Sequence, residues 1–376
     1  MKGVKKFLQA VITEQVPHTG GVKVILALLA GLEYIYLLVI KIRNYLYDRQ
    51  IISVAQLSCP VISVGNLTTG GTGKTPVVAK LARRLAARGK KVVIISRGYR
   101  AKAERPAVVS DGQKVLLNAR QAGDEAYMLA QKLTQIPVVI GSDRYRAGQL
   151  AQKEFSPEII ILDDGFQHRR LDRDQDIVVV NGVQPFGFEH LLPRGLLREP
   201  LTSLARADQV IINHQDKIEE HRLQEIRDRI YAYNHQIQLT AAHYRSAGLY
   251  NPGSDQKSET KSLSDLKQKK VLAVAGIGNP GSFAQQLAEL GARVEATAFF
   301  PDHYHYKKED IQVLIRQAKN KDINWLVTTD KDMVKLAGQL QKMLVAHGLK
   351  LFALQIEVEF EEEIIDESLC SNTGPL

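Results

Sequence analysis

Three closely spaced glycines, Gly70, Gly71 and Gly73, stand just before Lys74 and Thr75 in the run VISVGNLTTGGTGKTPVVA at residues 61–79. Without a Cβ, such residues let the backbone fold back and aim successive N–H groups at one anion. A helix opening at Lys74 adds the positive end of its dipole. Lys74 is then placed for the outer phosphates of a nucleotide, and the Thr75 hydroxyl for a phosphate-bound Mg²⁺. The fit to G-x-x-x-x-G-K-[ST] is incomplete, because its first position is Thr68. With Thr68, Thr69 and Thr72 included, the expected nucleotide loop is residues 68–75. A second run, IIILDDGFQH at residues 159–168, ends four apolar residues in Asp163 and Asp164. A buried strand of this kind delivers both carboxylates to the carboxyl edge of a sheet, where they hold a metal directly or through its waters. One of the two has an alternative task on a substrate hydroxyl, and Gly165 also makes a plain Asp-Asp-Gly turn possible.

Other polar residues leave more than one reading open. Asp124, in Gly123-Asp124-Glu125, is either a charge at a helix N-terminus or a base facing the phosphates. The basic turn Ser96-Arg97-Gly98-Tyr99-Arg100 closes a strand at the edge where open α/β sheets bind ligands. Arg194 and Arg198, in PRGLLREP at residues 193–200, are suited to neutralising charge on a transferred phosphoryl group. Asn213-His214-Gln215-Asp216 faintly resembles a guanine-reading N-K-x-D, with histidine in the lysine position. Gly276, Gly278 and Gly281 match a dinucleotide fingerprint, yet the following strand carries no acid at its end. His303 and His305 lack a clear third ligand, so they read as polar cleft residues rather than a metal site.

The elements that must position these groups follow from an alternation of apolar runs and helical patterns, which predicts a mainly parallel sheet with crossover helices. At 376 residues with 44% hydrophobic content, the chain is long enough for two cores. The expected organisation is an N-terminal membrane-associating segment at residues 1–50, a P-loop NTPase-like α/β domain at 51–245 and a linker at 246–270 rich in Ser, Gly, Asp and Lys. A smaller α/β domain at 271–360 and a tail at 361–376 complete it. Cys59 and Cys370 are far apart, which supports neither a disulfide framework nor a zinc site. The formal charge of +9 points to an anionic partner without choosing among nucleotide, phosphorylated substrate, nucleic acid and lipid.

Residues 22–40, VKVILALLAGLEYIYLLVI, are apolar for about the length of a membrane span, but Glu33 interrupts them and cations flank them. No A-x-A-like site follows, which argues against a signal peptide. The expectation is a helix lying in the bilayer surface. Lys23, Lys41 and Arg43 would meet lipid phosphates, while Ile25, Leu28, Leu29, Leu32, Ile35, Tyr36 and Val39 enter the acyl boundary. A buried core helix is the alternative.

Taken together, VGNLTTGGTGKTP, SRGYR, GDE, SDR, LDDGFQH, PRGLLREP, RAD and FPDH, in this order and spacing, resemble the tetraacyldisaccharide 4′-kinase family of lipid A biosynthesis. The resemblance implies transfer of the γ-phosphate of ATP, with Mg²⁺, to the 4′-hydroxyl of an acylated disaccharide 1-phosphate at the cytoplasmic face of the bacterial inner membrane. Residue by residue, it implies Gly70 to Thr75 for ATP, Asp163 and Asp164 with Thr75 and Glu199 around the metal, and Asp124 as base supported by His303. Lys74, Arg144 and Arg198 take catalytic positions, and His168 a further one. It also reduces the G-x-G-x-x-G match to a structural turn. A partner-regulated P-loop NTPase switch, the rival reading, predicts guanine preference, against which His214 speaks. A nucleic-acid binder predicts aromatics interleaved with cations, and the 6% aromatic content shows no such run.

Overall fold

The computed structural model describes residues 7, 10–13, 16, 17, 19–251, 259–301 and 304–361. After α1 (Gly20–Asp48) come β1 (Val61–Gly65), α2 (Lys74–Ala87), β2 (Val92–Ser96), β3 (Ala107–Ser110), α3 (Ala119–Ala122), α4 (Asp124–Lys132), β4 (Val138–Ile140) and α5 (Arg144–Phe155). Then follow β5 (Ile159–Asp163), β6 (Gln175–Asn181), β7 (Gln209–Asn213), α6 (Glu220–Tyr231), β8 (Gln238–Asn251), β9 (Glu259–Lys261) and β10 (Lys270–Ala275). The chain closes with α7 (Pro280–Glu289), β11 (Arg293–Phe299), α8 (Lys308–Asn320), β12 (Trp325–Thr329), α9 (Asp330–Leu336), α10 (Gln339–Val345) and β13 (Lys350–Phe360).

One sheet runs through all of it, in the order β11-β10-β12-β13-β8-β7-β6-β1-β5-β2-β4-β3, with β9 attached to β8. It is mainly parallel, as the alternation predicts; the antiparallel neighbours are β8 with β13, β3 with β4 and β8 with β9. β1, β2 and β5 are buried along their whole length, because helices cover both faces, and this is why their sequences read as unbroken apolar runs. The register sets Val64 opposite Asp163, and Ile95 opposite Leu162. The carboxyl ends of β1, β2 and β5 therefore lie level, and whatever follows each strand meets at one edge.

β8 departs from the expected organisation. Its first residues run parallel to β7, and residues 242–250 then pair antiparallel with β13. The expected boundary between residues 245 and 246 thus falls inside a strand, and the stretch expected as a linker contributes the end of β8 and all of β9. Its middle is partly exposed, with Arg245 and Ala247 open to solvent, so its composition resembles a linker. The helical stretch around Gly123-Asp124-Glu125 is two pieces, α3 and α4, broken at Gly123, where φ is +85° and a Cβ would stand 2.6 Å from the Tyr99 carbonyl oxygen.

α1 is about 43 Å long at 1.5 Å per residue, and by length and composition it could cross a membrane. Its two faces differ. Val24, Leu28, Leu32, Ile35, Val39 and Ile42 form an exposed apolar stripe, whereas Tyr36 and Leu37 pack on a core that includes Phe186, Leu191 and Leu197. Glu33 belongs to the docked face: one oxygen accepts the Leu191 N–H at 2.8 Å and lies 3.3 Å from His190 Nδ1, and the other lies 3.5 Å from Arg194. Tyr36 and Arg43, expected to face lipid, turn inward instead. The Tyr36 hydroxyl donates to the Arg198 carbonyl at 2.9 Å, and Arg43 pairs with Glu199.

Candidate active site

The glycine loop leaves the end of β1 and enters α2 at Lys74, the order its sequence predicts. Gly73 is the position that tolerates nothing else. Its φ is +84°, and a Cβ there would sit 1.5 Å from the Tyr244 hydroxyl oxygen. That hydroxyl donates to the Gly73 carbonyl at 3.0 Å, while Asn213 Nδ2 donates to Tyr244 Oη at 2.7 Å and to the Thr72 carbonyl at 2.8 Å. Asn213, which resembles the first residue of a guanine-reading motif, is therefore occupied in bracing the loop. The threonines also serve the loop itself: the Thr72 hydroxyl accepts from Asn66 Nδ2 at 2.9 Å, and the Thr69 N–H donates to the Leu196 carbonyl at 2.8 Å. Thr68 bridges Leu197. Thr68, Thr69 and Thr72, expected to contact nucleotide, also tie this loop to the rest of the protein, Thr68 and Thr69 to residues 196–197 and Thr72 to Asn66.

Lys74 reaches over the end of β5, with its Nζ 3.5 Å from Asp164 Oδ1. Arg198 NH1 donates to the same oxygen at 2.8 Å and to Asn66 Oδ1 at 3.2 Å. Burial alone would raise the Asp164 pKa, but Lys74 and Arg198 outweigh it and hold this carboxyl below its ordinary value. Asp163 is in a different state. It is buried, the Ser96 hydroxyl donates to it at 3.1 Å, and burial together with the charges of Glu125 and Asp164 pushes its pKa up to about 7. Arg144, only 3% exposed, donates to the Gly141 carbonyl at 2.8 Å at the start of α5. Burial lowers its pKa to about 10, so it remains a cation beside the two aspartates.

The cavity next to this edge has a volume of about 560 Å³ and is lined from four segments, residues 99–102, 119–126, 305–306 and 334–335, with Arg100, Arg120, Asp124, Glu125, His305 and Lys335 on its wall. Asp124 opens α4 on its wall. Lys335 Nζ, from α9, lies 3.9 Å from Asp124 Oδ2 and 3.8 Å from Asp332 Oδ1. At the other end of the same two helices Lys132 pairs with Asp330 at 2.5 Å. Reciprocal charges thus fix α4 against α9, and with it the place of Asp124. Gly276 of the dinucleotide-like motif donates its N–H to Asp332 Oδ2 at 2.8 Å, so this turn supports α9.

The family model for Tetraacyldisaccharide-1-P 4′-kinase matches residues 25–373. The chain belongs to the tetraacyldisaccharide-1-P 4′-kinase family. The Tetraacyldisaccharide 4′-kinase of Halothermothrix orenii is 43% identical over 347 residues, which is 90% of either chain. That of Geobacter metallireducens is 40% identical over 349 residues, 92% of this chain and 99% of the relative. Among solved structures, LpxK from Aquifex aeolicus, crystallised in complex with ATP, superimposes with a TM-score of 0.72 at 34% identity, covering 90% of this chain and 95% of that one.

Within this kinase fold the structure brings Lys74, Asp163, Asp164, Arg144 and Arg198 to one sheet edge and sets Asp124 on the adjoining cavity. Glu199 stands apart. It is fully buried, with Arg43 on one oxygen and Arg206 on the other, each at 2.9 Å. Burial would raise its pKa, but the two guanidiniums overcome this and hold it low. The metal role expected of Glu199 does not fit, since both oxygens are engaged by arginines. His303 lies outside the described residues. His168 is half-buried, its pKa lowered to about 4 by burial and by the nearby Arg144 charge. Sequence reasoning missed Lys335 and Asp332, and gave no role of their own to Glu125 and Ser96. Glu125 was within reach, as the acid beside Asp124; Lys335 was not, because only the fold brings α9 to α4.

Proposed function

We infer that the chain transfers the γ-phosphate of ATP to the 4′-hydroxyl of a tetraacyl glucosamine disaccharide 1-phosphate in lipid A biosynthesis. The observation that supports this best is the continuity between the Lys74, Asp163 and Asp164 edge and the Asp124 cavity. Lys74 Nζ and the amides of the glycine loop hold the β- and γ-phosphates. Arg198 and Arg144 stabilise charge on the transferred group. Asp124 accepts the proton as the sugar oxygen bonds to the γ-phosphorus and the bond to the β,γ-bridging oxygen breaks. The smaller unit, residues 271–360, carries Lys335 and His305 to the cavity, so its closure would exclude water from this step.

Asp163 bears on the metal question. A buried carboxyl with a serine hydroxyl and two other acids nearby, and with no ion pair of its own among the described residues, suits a Mg²⁺ ligand. Among the described residues no group of three or more His, Cys, Asp or Glu gathers for a metal. Mg²⁺ commonly uses one or two carboxylates and completes its shell with phosphate oxygens and waters, so Asp163, Asp164 and Thr75 are a sufficient protein contribution. Bound there, Mg²⁺ would neutralise charge between the β- and γ-phosphates.

The exposed stripe of α1 faces away from the protein, and we assign it to the acyl boundary at the cytoplasmic side of the bacterial inner membrane. Lys23 and Lys41 are exposed beside the stripe, in place to meet lipid phosphates. The helix lies on the membrane rather than through it in this reading, because its other face is committed to the protein.

Incubation with γ-labelled ATP, Mg²⁺ and detergent-dispersed disaccharide 1-phosphate tests the assignment. Label should appear on the 4′ oxygen, and Asp124→Asn should lower the rate by about 10²–10³-fold. Label retained only in inorganic phosphate, with or without lipid, would overturn it.

A further inference from the structure

The cavity beside Asp124 is lined by charges of both signs. Asp124 and Glu125 stand on its wall, and Glu125 is close enough to Asp163 to be that group's main charged neighbour. Arg100, Lys102 and Arg120 line the same cavity. These three come from two segments stitched together by main-chain bonds, Lys102 N–H to the Arg120 carbonyl at 3.2 Å and Ala103 N–H to the Gln121 carbonyl at 3.1 Å. Arg100 stands at φ +59° and its guanidinium lies 5.3 Å over the Tyr99 ring, so the turn is held in a conformation that side chains seldom adopt.

The cations around the phosphate loop are mostly matched: Arg198 by Asp164, Arg43 and Arg206 by Glu199, Arg173 by Asp176. Among the described residues no acid pairs with Arg100, Lys102 or Arg120. Three like charges on the rim of one cavity repel one another until an anion arrives, and a planar guanidinium fork suits a phosphate in particular.

We propose that Arg100, Lys102 and Arg120 form an anion subsite that binds the 1-phosphate of the acceptor disaccharide. This rests on the kinase reading above. An acceptor of that kind has its reacting hydroxyl at one end and a phosphate at the other, and one cavity is lined both by Asp124 and by these three cations. A cavity of about 560 Å³ is also of the size that encloses a headgroup rather than a single ion. The three cations then set the direction in which the disaccharide enters, so that the 4′-hydroxyl and not the reducing end meets Asp124.

The test compares two acceptors in the same detergent, the disaccharide 1-phosphate and its 1-dephospho analogue, using the full-length wild type and the variant R100Q/K102Q/R120Q. The wild type should prefer the 1-phosphate, and the variant should lose about 30-fold in kcat/KM on it, mainly through KM. Its KM for ATP and its rate on the dephospho analogue should hold. Glucosamine 1-phosphate should compete with the acceptor in the wild type and lose at least 10-fold in potency in the variant. Equal losses on both acceptors, or no loss on the 1-phosphate, would place that phosphate elsewhere. If the wild type phosphorylates neither acceptor, the kinase reading itself falls and the subsite with it.

Discussion

Two buried acid sites lie close together in this chain and behave in opposite ways. At the end of β5, Asp163 has one hydroxyl donor and two neighbouring acids, and its pKa is pushed up to about 7. Behind the 193–200 loop, Glu199 has a guanidinium on each oxygen and is held below its ordinary value. The sequence reading gives both the same expected role, a place around the metal. What separates them is the balance of partners. The Glu199 site is saturated with positive charge and ties α1 to the loop that carries Arg198. At the β5 edge Lys74 and Arg198 pair with Asp164, while among the described residues no ion pair reaches Asp163, which is the state expected of a carboxyl completed by a cation and a nucleotide.

The contrast is sharpened most by a change at the phosphate edge itself. Lys74→Ala removes a cation from the place where charge develops, and turnover should drop by about 10³-fold or more, equivalent to about 4 kcal/mol, with the melting temperature nearly unchanged. A rate within a few-fold of wild type would mean that the glycine loop is not the phosphate site. On the other side of the comparison, Arg43→Ala leaves Glu199 with Arg206 alone. Unfolding by urea should show a loss of about 2 kcal/mol, less than for a fully broken buried pair because one guanidinium stays. Turnover should fall only as far as the Arg198 loop loosens, about 10-fold, and unchanged stability would show that the socket is not structural.

The smallest effect concerns His168. Its folded pKa, lowered to about 4, lies below the unfolded value, so the unfolded chain takes up more protons between the two. Stability from this group is present above pH 6.5 and is lost as pH falls toward 4. Thermal melts of the wild type should therefore decline by a few degrees, roughly, between pH 7 and 5, and His168→Gln should remove part of that slope. A slope that the substitution leaves intact would assign the acid sensitivity to other groups.

Much of the site was legible in the chain because its chemistry is local. Gly73 and Lys74 are neighbours, Asp163 and Asp164 end one strand, and the apolar runs that become β1, β2 and β5 announce the edge on which they meet. The parts that escaped are those made by distant contacts. Glu33 looked like a flaw in an apolar helix and is its docking point on residues 190–194. Thr69 looked like a phosphate ligand, and its N–H also ties the loop to Leu196. Glu199 looked like a metal ligand until Arg43, 156 positions away, closed over it. Lys335 reached Asp124 only through the packing of α9 on α4. The long β8 was hidden by its half-exposed middle, whose polar residues have the composition of a linker.

The central claim is that Asp163 serves a cation while Glu199 serves the fold, and thermal melts with a non-hydrolysable ATP analogue, with and without Mg²⁺, test it directly. A ligand that binds only the folded state raises the melting temperature in proportion to its affinity and concentration. The wild type should gain stability when Mg²⁺ is added to the nucleotide. Asp163→Asn should lose that increment while starting from an undiminished melting temperature, and Glu199→Gln should keep the increment while starting lower. The reverse pattern, with the Mg²⁺ increment intact in Asp163→Asn and gone in Glu199→Gln, would contradict the account.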